Sequence, residues 1–205
     1  MIADTDVLAT LDERQLRAGY AEIVKYGLIG DADFFAWLEA NGARVLEGGR
    51  ERVRAIETSA RAKAAIVAAD EREGGKRALL NLGHTFAHAL EAFAGYSDRL
   101  LHGEAVAIGM ALAFELSREL GLCGEADAAR VAVHLRGVGL PAAIAEIPGT
   151  APKPDDLVRA MTQDKKVRAT KPALILARGI GAAFVEPGLE WSALKDFLAR
   201  QCDKR

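Results

Sequence analysis

A chain of 205 residues, half of them apolar and with a net formal charge of −2, is long enough to bury one good core, and its composition excludes a disordered or fibrous protein. Its 27 Lys and Arg nearly balance 29 Asp and Glu without any long basic run, so nucleic acid is not an expected partner. The longest uncharged apolar stretch, residues 105–114, is too short to span a bilayer, so no membrane partner is expected either.

Cys123 and Cys202 lie far apart in no ligand-like spacing, which suits reduced thiols. The opening "MIADTDVLAT" has no charged leader before an apolar run, so no signal peptide is expected and the protein is read as cytoplasmic.

Taken in chain order, helical periodicity dominates. Thr10 followed by Glu13 has the pattern of a capping box and predicts a first helix reaching about Leu28. Asp31 is placed to cap a second helix ending near Gly42. A long third helix follows from "GGRERVRAIETSARAKAAIVAADERE", with Val53, Ile56 and Ala60 recurring on one side. After the glycine turn "REGGKR" comes a histidine-bearing helix over about 82–94, stopped by Gly95.

The next helix, about 103–120, is hydrophobic all round and is therefore placed at the centre of the bundle. A further helix covers about 125–136, and four prolines between Gly139 and Asp155 predict an irregular connection. A short helix over 155–162 precedes "ALILA", "RGIG" and "AAFVE", which read as a β-hairpin. "WSALKDFLARQ" closes the chain as a helix. The fold class is thus mainly α, a multi-helix bundle with one small β-hairpin near the C-terminus.

Three of the four histidines lie between residues 84 and 102. On a helix, His84, His88 and Glu91 share one face, while Leu82, Phe86, Leu90 and Phe93 share the opposite one. The apolar face has its own reason to be buried, so the polar face needs a separate one. A pair at i, i+4 can chelate zinc through both imidazoles, and His102 in "LLHGEAV" adds a third candidate at the start of the central helix. Glu91, Glu104 and Glu22 are all candidates for a carboxylate ligand, and spacing does not choose among them.

A set of cations, Lys25, Lys63, Lys76, Arg77, Lys165 and Lys166, is read as a solvated surface or as an anion site. His134 has no polar partner at helical spacing and is read as structural or surface. No dinucleotide fingerprint, P-loop or nucleophile elbow is present.

"GYAEIVKYGLIGDADFF", "GGKRALLNLGHTFAHALEAFAGY", "LLHGEAVAIGMALAFELSRELG" and "MTQDKK" together resemble, in order and spacing, the C-terminal domain of 3-dehydroquinate synthase. The resemblance spans nearly the whole chain. It implies a lyase dependent on NAD+ and Zn2+ (or Co2+) that converts 3-deoxy-D-arabino-heptulosonate 7-phosphate to 3-dehydroquinate and phosphate in the shikimate pathway. It implies metal ligands at Glu22, His84 and His102, with His88 lining the site rather than ligating.

The same resemblance implies substrate-gripping roles for Lys25, Lys63, Arg77 and Asn81, joined by Lys165, Lys166 or both. It implies a dinucleotide contact at Val7, Leu8, Ala9 and Thr10. Residues 1–205 are then one helical metal- and substrate-binding domain, the NAD-binding domain lies on a part of the enzyme absent from this sequence, and this piece alone is expected to be inactive. The complete enzyme is expected to be a homodimer.

Two departures from the family pattern stand out: Asp12 where proline is usual, and "VRATKP" in place of a glycine-containing turn. The alternatives are another sugar-phosphate cyclase such as 2-deoxy-scyllo-inosose synthase, a metal-dependent polyol dehydrogenase, or a non-catalytic helical module that retains the metal-site residues.

Overall fold

The computed structural model describes residues 4–70, 75–163 and 172–204. Helix α1, Glu13–Gly30, is capped by Asp12, whose carboxylate accepts from the Gln15 amide at 2.8 Å. This corrects the predicted Thr10 cap. Thr10 instead ends a 3-10 turn, Asp6–Thr10, where its hydroxyl donates to the Val7 carbonyl. The cap falls on the residue whose side chain can accept while carrying negative charge at the helix's positive end.

Helix α2, Ala32–Glu47, is capped by Asp31 as predicted but continues past Gly42. Gly42 sits inside the helix because a Cβ there would meet the Tyr20 hydroxyl at 2.9 Å and Val138 at 2.8 Å. Helix α3, Gly49–Ala69, buries Ala55 and Ser59 rather than the predicted side, and Val53 remains 46% exposed. The covered residues are small, α3 packs against both α1 and α2, and the Ser59 hydroxyl donates to the Ala55 carbonyl at 2.8 Å.

A 3-10 segment, Lys76–Asn81, leads through Gly83, in the left-handed region at φ +81°, into α4, His84–Phe93. The histidine helix therefore starts two residues later than its periodicity predicts. Helix α5, His102–Glu119, is buried on nearly every side and packs against α1, α4 and α6, Glu125–Gly137, as its all-round apolarity predicts. It approaches its neighbours at two glycines. A Cβ on Gly103 would stand 1.9 Å from the Ala18 carbonyl oxygen, and one on Gly109 would stand 2.1 Å from that of Gly83.

Beyond the proline-rich connection lies α7, Pro154–Gln163. Strands β1, Leu174–Ala177, and β2, Ala183–Glu186, form the antiparallel hairpin, with Leu174 opposite Glu186 and Ala177 opposite Ala183. The Ser117 hydroxyl of α5 accepts from the Ala177 amide at 3.0 Å and ties β1 to the bundle. Helix α8, Trp191–Asp203, packs against α7. Among the described residues no helix is long and apolar enough to cross a membrane.

His134 on α6 is buried and pairs with the Tyr20 hydroxyl of α1 at 3.1 Å, with its ring edge-on to Phe35. Its polar partner thus comes from another helix, which spacing within α6 does not show. Burial pushes the imidazole below its ordinary value near 6.5, opposed only by the charge of Glu39. As pH falls below about 6.5 the unfolded chain takes up a proton that the folded chain resists, so stability is full above that pH and declines below it. The urea midpoint is expected to be lower at pH 5.5 than at 7.5, and His134→Gln is expected to narrow that difference. An unchanged difference would place the titration elsewhere.

Candidate metal centre and anion-binding cleft

Three elements meet at one point. Glu22 projects from the middle of α1, His84 opens α4, and His102 opens α5. Glu22 Oε1 lies 3.7 Å from His84 Nε2 and 3.8 Å from His102 Nε2, and one ligand atom from each residue falls within 4.8 Å of the others. Two atoms held ~2.0–2.1 Å from one tetrahedral ion stand ~3.4 Å apart, so the observed separations are those of a slightly open chelate.

The rest of each side chain is already engaged. The Lys25 ammonium, only 4% exposed, donates to Glu22 Oε2 at 2.6 Å and fixes the carboxylate's rotation. Glu22 Oε1 is buried with no hydrogen-bond partner. His84 Nδ1 lies 3.3 Å from the Leu82 carbonyl, and His102 Nδ1 lies 3.0 Å from Glu91 Oε1. If each Nδ1–H donates to these oxygens, both Nε2 lone pairs face an orphaned carboxylate oxygen, an arrangement that a cation among the three would make favourable.

Burial, reinforced by the charge of Lys25 and opposed by Glu22, lowers the His84 pKa to about 4, so the ring is neutral at ordinary pH, as a ligand must be. A carboxylate and two imidazoles form a donor set that suits zinc and also admits cobalt. The residues fit such an ion.

Of the other carboxylates considered, Glu104 is bound by Arg14, with Nε at 2.6 Å and Nη2 at 2.7 Å, and accepts from the Leu101 amide at the start of α5. Arg14 also donates to the Asp98 carbonyl, so it clamps the loop that delivers His102. Glu91 touches the Nδ1 side of His102, away from Nε2.

A cleft of about 440 Å³ opens over the three ligands, and Lys25, Lys63, Arg77 and Asn81 all line it, with Tyr26 and Leu80. These come from α1, α3 and the 3-10 segment, so three cations line the cleft with a single carboxylate, Lys25 buried and Lys63 exposed. Such a cleft favours a ligand with several negative charges. Tyr26 is missed by the sequence reading; burial, and the charge of Glu22 after it, raises its pKa, so it faces the cleft as a neutral phenol.

His88 is exposed on α4, its ring edge-on to His84 with centroids 5.7 Å apart, and it is outside the three-ligand group. His88→Ala is expected to change zinc affinity by less than about tenfold, below the effect of losing an orienting partner. A larger loss in a chelator-competition titration would return His88 to the ligand set. Val7, Leu8, Ala9 and Thr10 are not brought to this cleft; Leu8 instead borders a separate apolar groove with Leu11, Leu16 and Ile56. Lys165 and Lys166 lie outside the described residues.

Fold and site together define a helical domain that carries a candidate metal centre beneath a cleft suited to an anionic ligand. The family described as 3-dehydroquinate synthase C-terminal matches residues 19–167. The chain belongs to that family. It is 57% identical over 199 residues to the 3-dehydroquinate synthase of Rhizobium etli (strain CIAT 652), covering 97% of this chain and 53% of that protein.

Among solved structures it is similar to the 2-epi-5-epi-valiolone synthase ValA of Streptomyces hygroscopicus subsp. jinggangensis 5008, which has NAD+ and Zn2+ bound. The TM-score is 0.84 at 31% identity, over 98% of this chain and 55% of that one. A 2-deoxy-scyllo-inosose synthase complexed with carbaglucose-6-phosphate, NAD+ and Co2+ gives a TM-score of 0.78 at 25% identity, over 97% of this chain and 56% of that one. The chain spans about half the length of the curated relatives it matches.

Proposed function

We propose that this chain is the metal- and substrate-binding half of a 3-dehydroquinate synthase, acting on 3-deoxy-D-arabino-heptulosonate 7-phosphate with release of phosphate. The observation that carries the reading is the orphaned Glu22 Oε1 facing two imidazole Nε2 atoms beneath a cationic cleft. Glu22, His84 and His102 hold the zinc, which when bound polarises and acidifies substrate hydroxyl groups.

The remaining roles belong to the chain's own side chains. Lys25 fixes the Glu22 carboxylate and keeps one face of the cleft positive. Lys63 and Arg77 bind the substrate's anionic groups and stabilise charge on the departing phosphate, and Asn81 orients the substrate through its amide. His88, exposed on α4 beside His84 and outside the cleft lining, is assigned to contact with the bound substrate. Lys165, Lys166 or both are assigned to the same anion. NAD+ is contributed mainly by the other half of the enzyme, with Val7, Leu8, Ala9 and Thr10 touching it from this side. The chain alone is then inactive.

The test is phosphate release and product analysis with this chain alone and with it joined to the remaining half of the Rhizobium etli relative. The joined protein is expected to form 3-dehydroquinate, and the chain alone to form none. Turnover by the chain alone would overturn the division of labour. A different carbocycle, formed from a different sugar phosphate, would select another sugar-phosphate cyclase such as 2-deoxy-scyllo-inosose synthase, a reading with which the likeness to a solved enzyme of that name is consistent.

A further inference from the structure

His102 is the outermost member of the three-ligand group, with its side chain 51% exposed against 16% for His84. Its backbone is well held: Gly103 lies against Ala18 on α1, and Arg14 clamps the preceding loop and Glu104. None of these contacts restrains rotation of the ring itself. The restraint comes from α4, where Glu91, 14% exposed, places Oε1 3.0 Å from His102 Nδ1. Glu91 stands two turns after His84 on the same face, so one helix supplies a ligand and also the group that aims another.

We propose that Glu91 is the positioning residue of the metal centre: it holds His102 in the Nδ1–H tautomer and in the orientation that turns Nε2 toward Glu22. A carboxylate behind a ligating imidazole fixes its tautomer and ring plane and makes its far nitrogen a stronger donor. The inference rests on the zinc reading above and adds a residue that neither the ligand group nor the cleft lining contains.

The experiment is a zinc titration of the 205-residue chain by competition with a chromophoric chelator, run on the unsubstituted chain and on Glu91→Leu and Glu91→Gln. Cobalt absorption spectra of the same proteins report ligand geometry. Glu91→Leu is expected to weaken zinc binding about 10–100-fold and to alter the cobalt spectrum. Glu91→Gln, whose amide oxygen still accepts from Nδ1–H, is expected to recover most of the affinity and the spectrum.

Equal affinity and spectra in all three proteins would overturn the proposal while leaving the metal centre intact. Equal losses in both variants, with a matching fall in melting temperature, would assign Glu91 to packing and also overturn it. Failure of the unsubstituted chain to take up one zinc would overturn the metal reading itself and this inference with it.

Discussion

Replacing His102 by alanine is expected to weaken zinc binding by more than about 100-fold, beyond the range for loss of an orienting partner, while leaving the melting temperature nearly unchanged. The ring is half exposed and its removal opens no cavity in the core. Glu22→Ala is expected to remove zinc binding too, but at a cost in stability. It strands the Lys25 ammonium, 4% exposed, without its partner at 2.6 Å. Breaking a fully buried pair costs about 3–5 kcal/mol; Glu22 is itself 36% exposed on its side chain, so a smaller loss is expected here. Calorimetric zinc titration beside thermal melting separates the two effects. Full zinc uptake by His102→Ala would eliminate the three-ligand centre.

The second large effect is expected from single methyl groups. Gly103→Ala would drive a Cβ to 1.9 Å from the Ala18 carbonyl oxygen, and Gly109→Ala would drive one to 2.1 Å from that of Gly83. Both obstacles are backbone, so a side-chain rotation cannot relieve them and α5 must move away. Each variant is expected to lose about 3 kcal/mol or more, equivalent to roughly 6–12 °C in melting midpoint for a domain of this size. Gly103 adjoins His102, and Gly83 adjoins His84. The displaced helix therefore carries a ligand with it, and zinc affinity is expected to fall along with stability. Denaturant unfolding and zinc titration of both variants check this, and wild-type stability in either would mean the helices are not this close.

Much of the fold was legible along the chain. Asp31 caps its helix, the apolar run around Ile108 lies at the centre, and the hairpin joins the two short runs predicted for it. These are local matters of capping chemistry, periodicity and turn residues. Apart from the cap of α1, which fell locally to Asp12 rather than Thr10, the differences arose where a neighbour decided the outcome. Val53 has the right residue type for a core and faces outward, because the neighbouring helices cover α3 on the side of Ala55 and Ser59. Glycines inside apolar helices are a known sign of close backbone approach, yet only the packed structure says which carbonyl lies opposite.

The candidate site divides the same way. Helical spacing determined by itself that His84, His88 and Glu91 share a face, and that two rings one turn apart form a possible chelate. It did not determine that Glu22 from α1 and His102 from α5 meet His84, that Glu91 serves His102, or that Glu104 is held by Arg14. Spacing fixes the angle of a side chain around its own helix axis. Which carboxylate faces which imidazole depends on how far apart three helices lie and in what register, and that was decided by tertiary packing at Gly103 and Gly109.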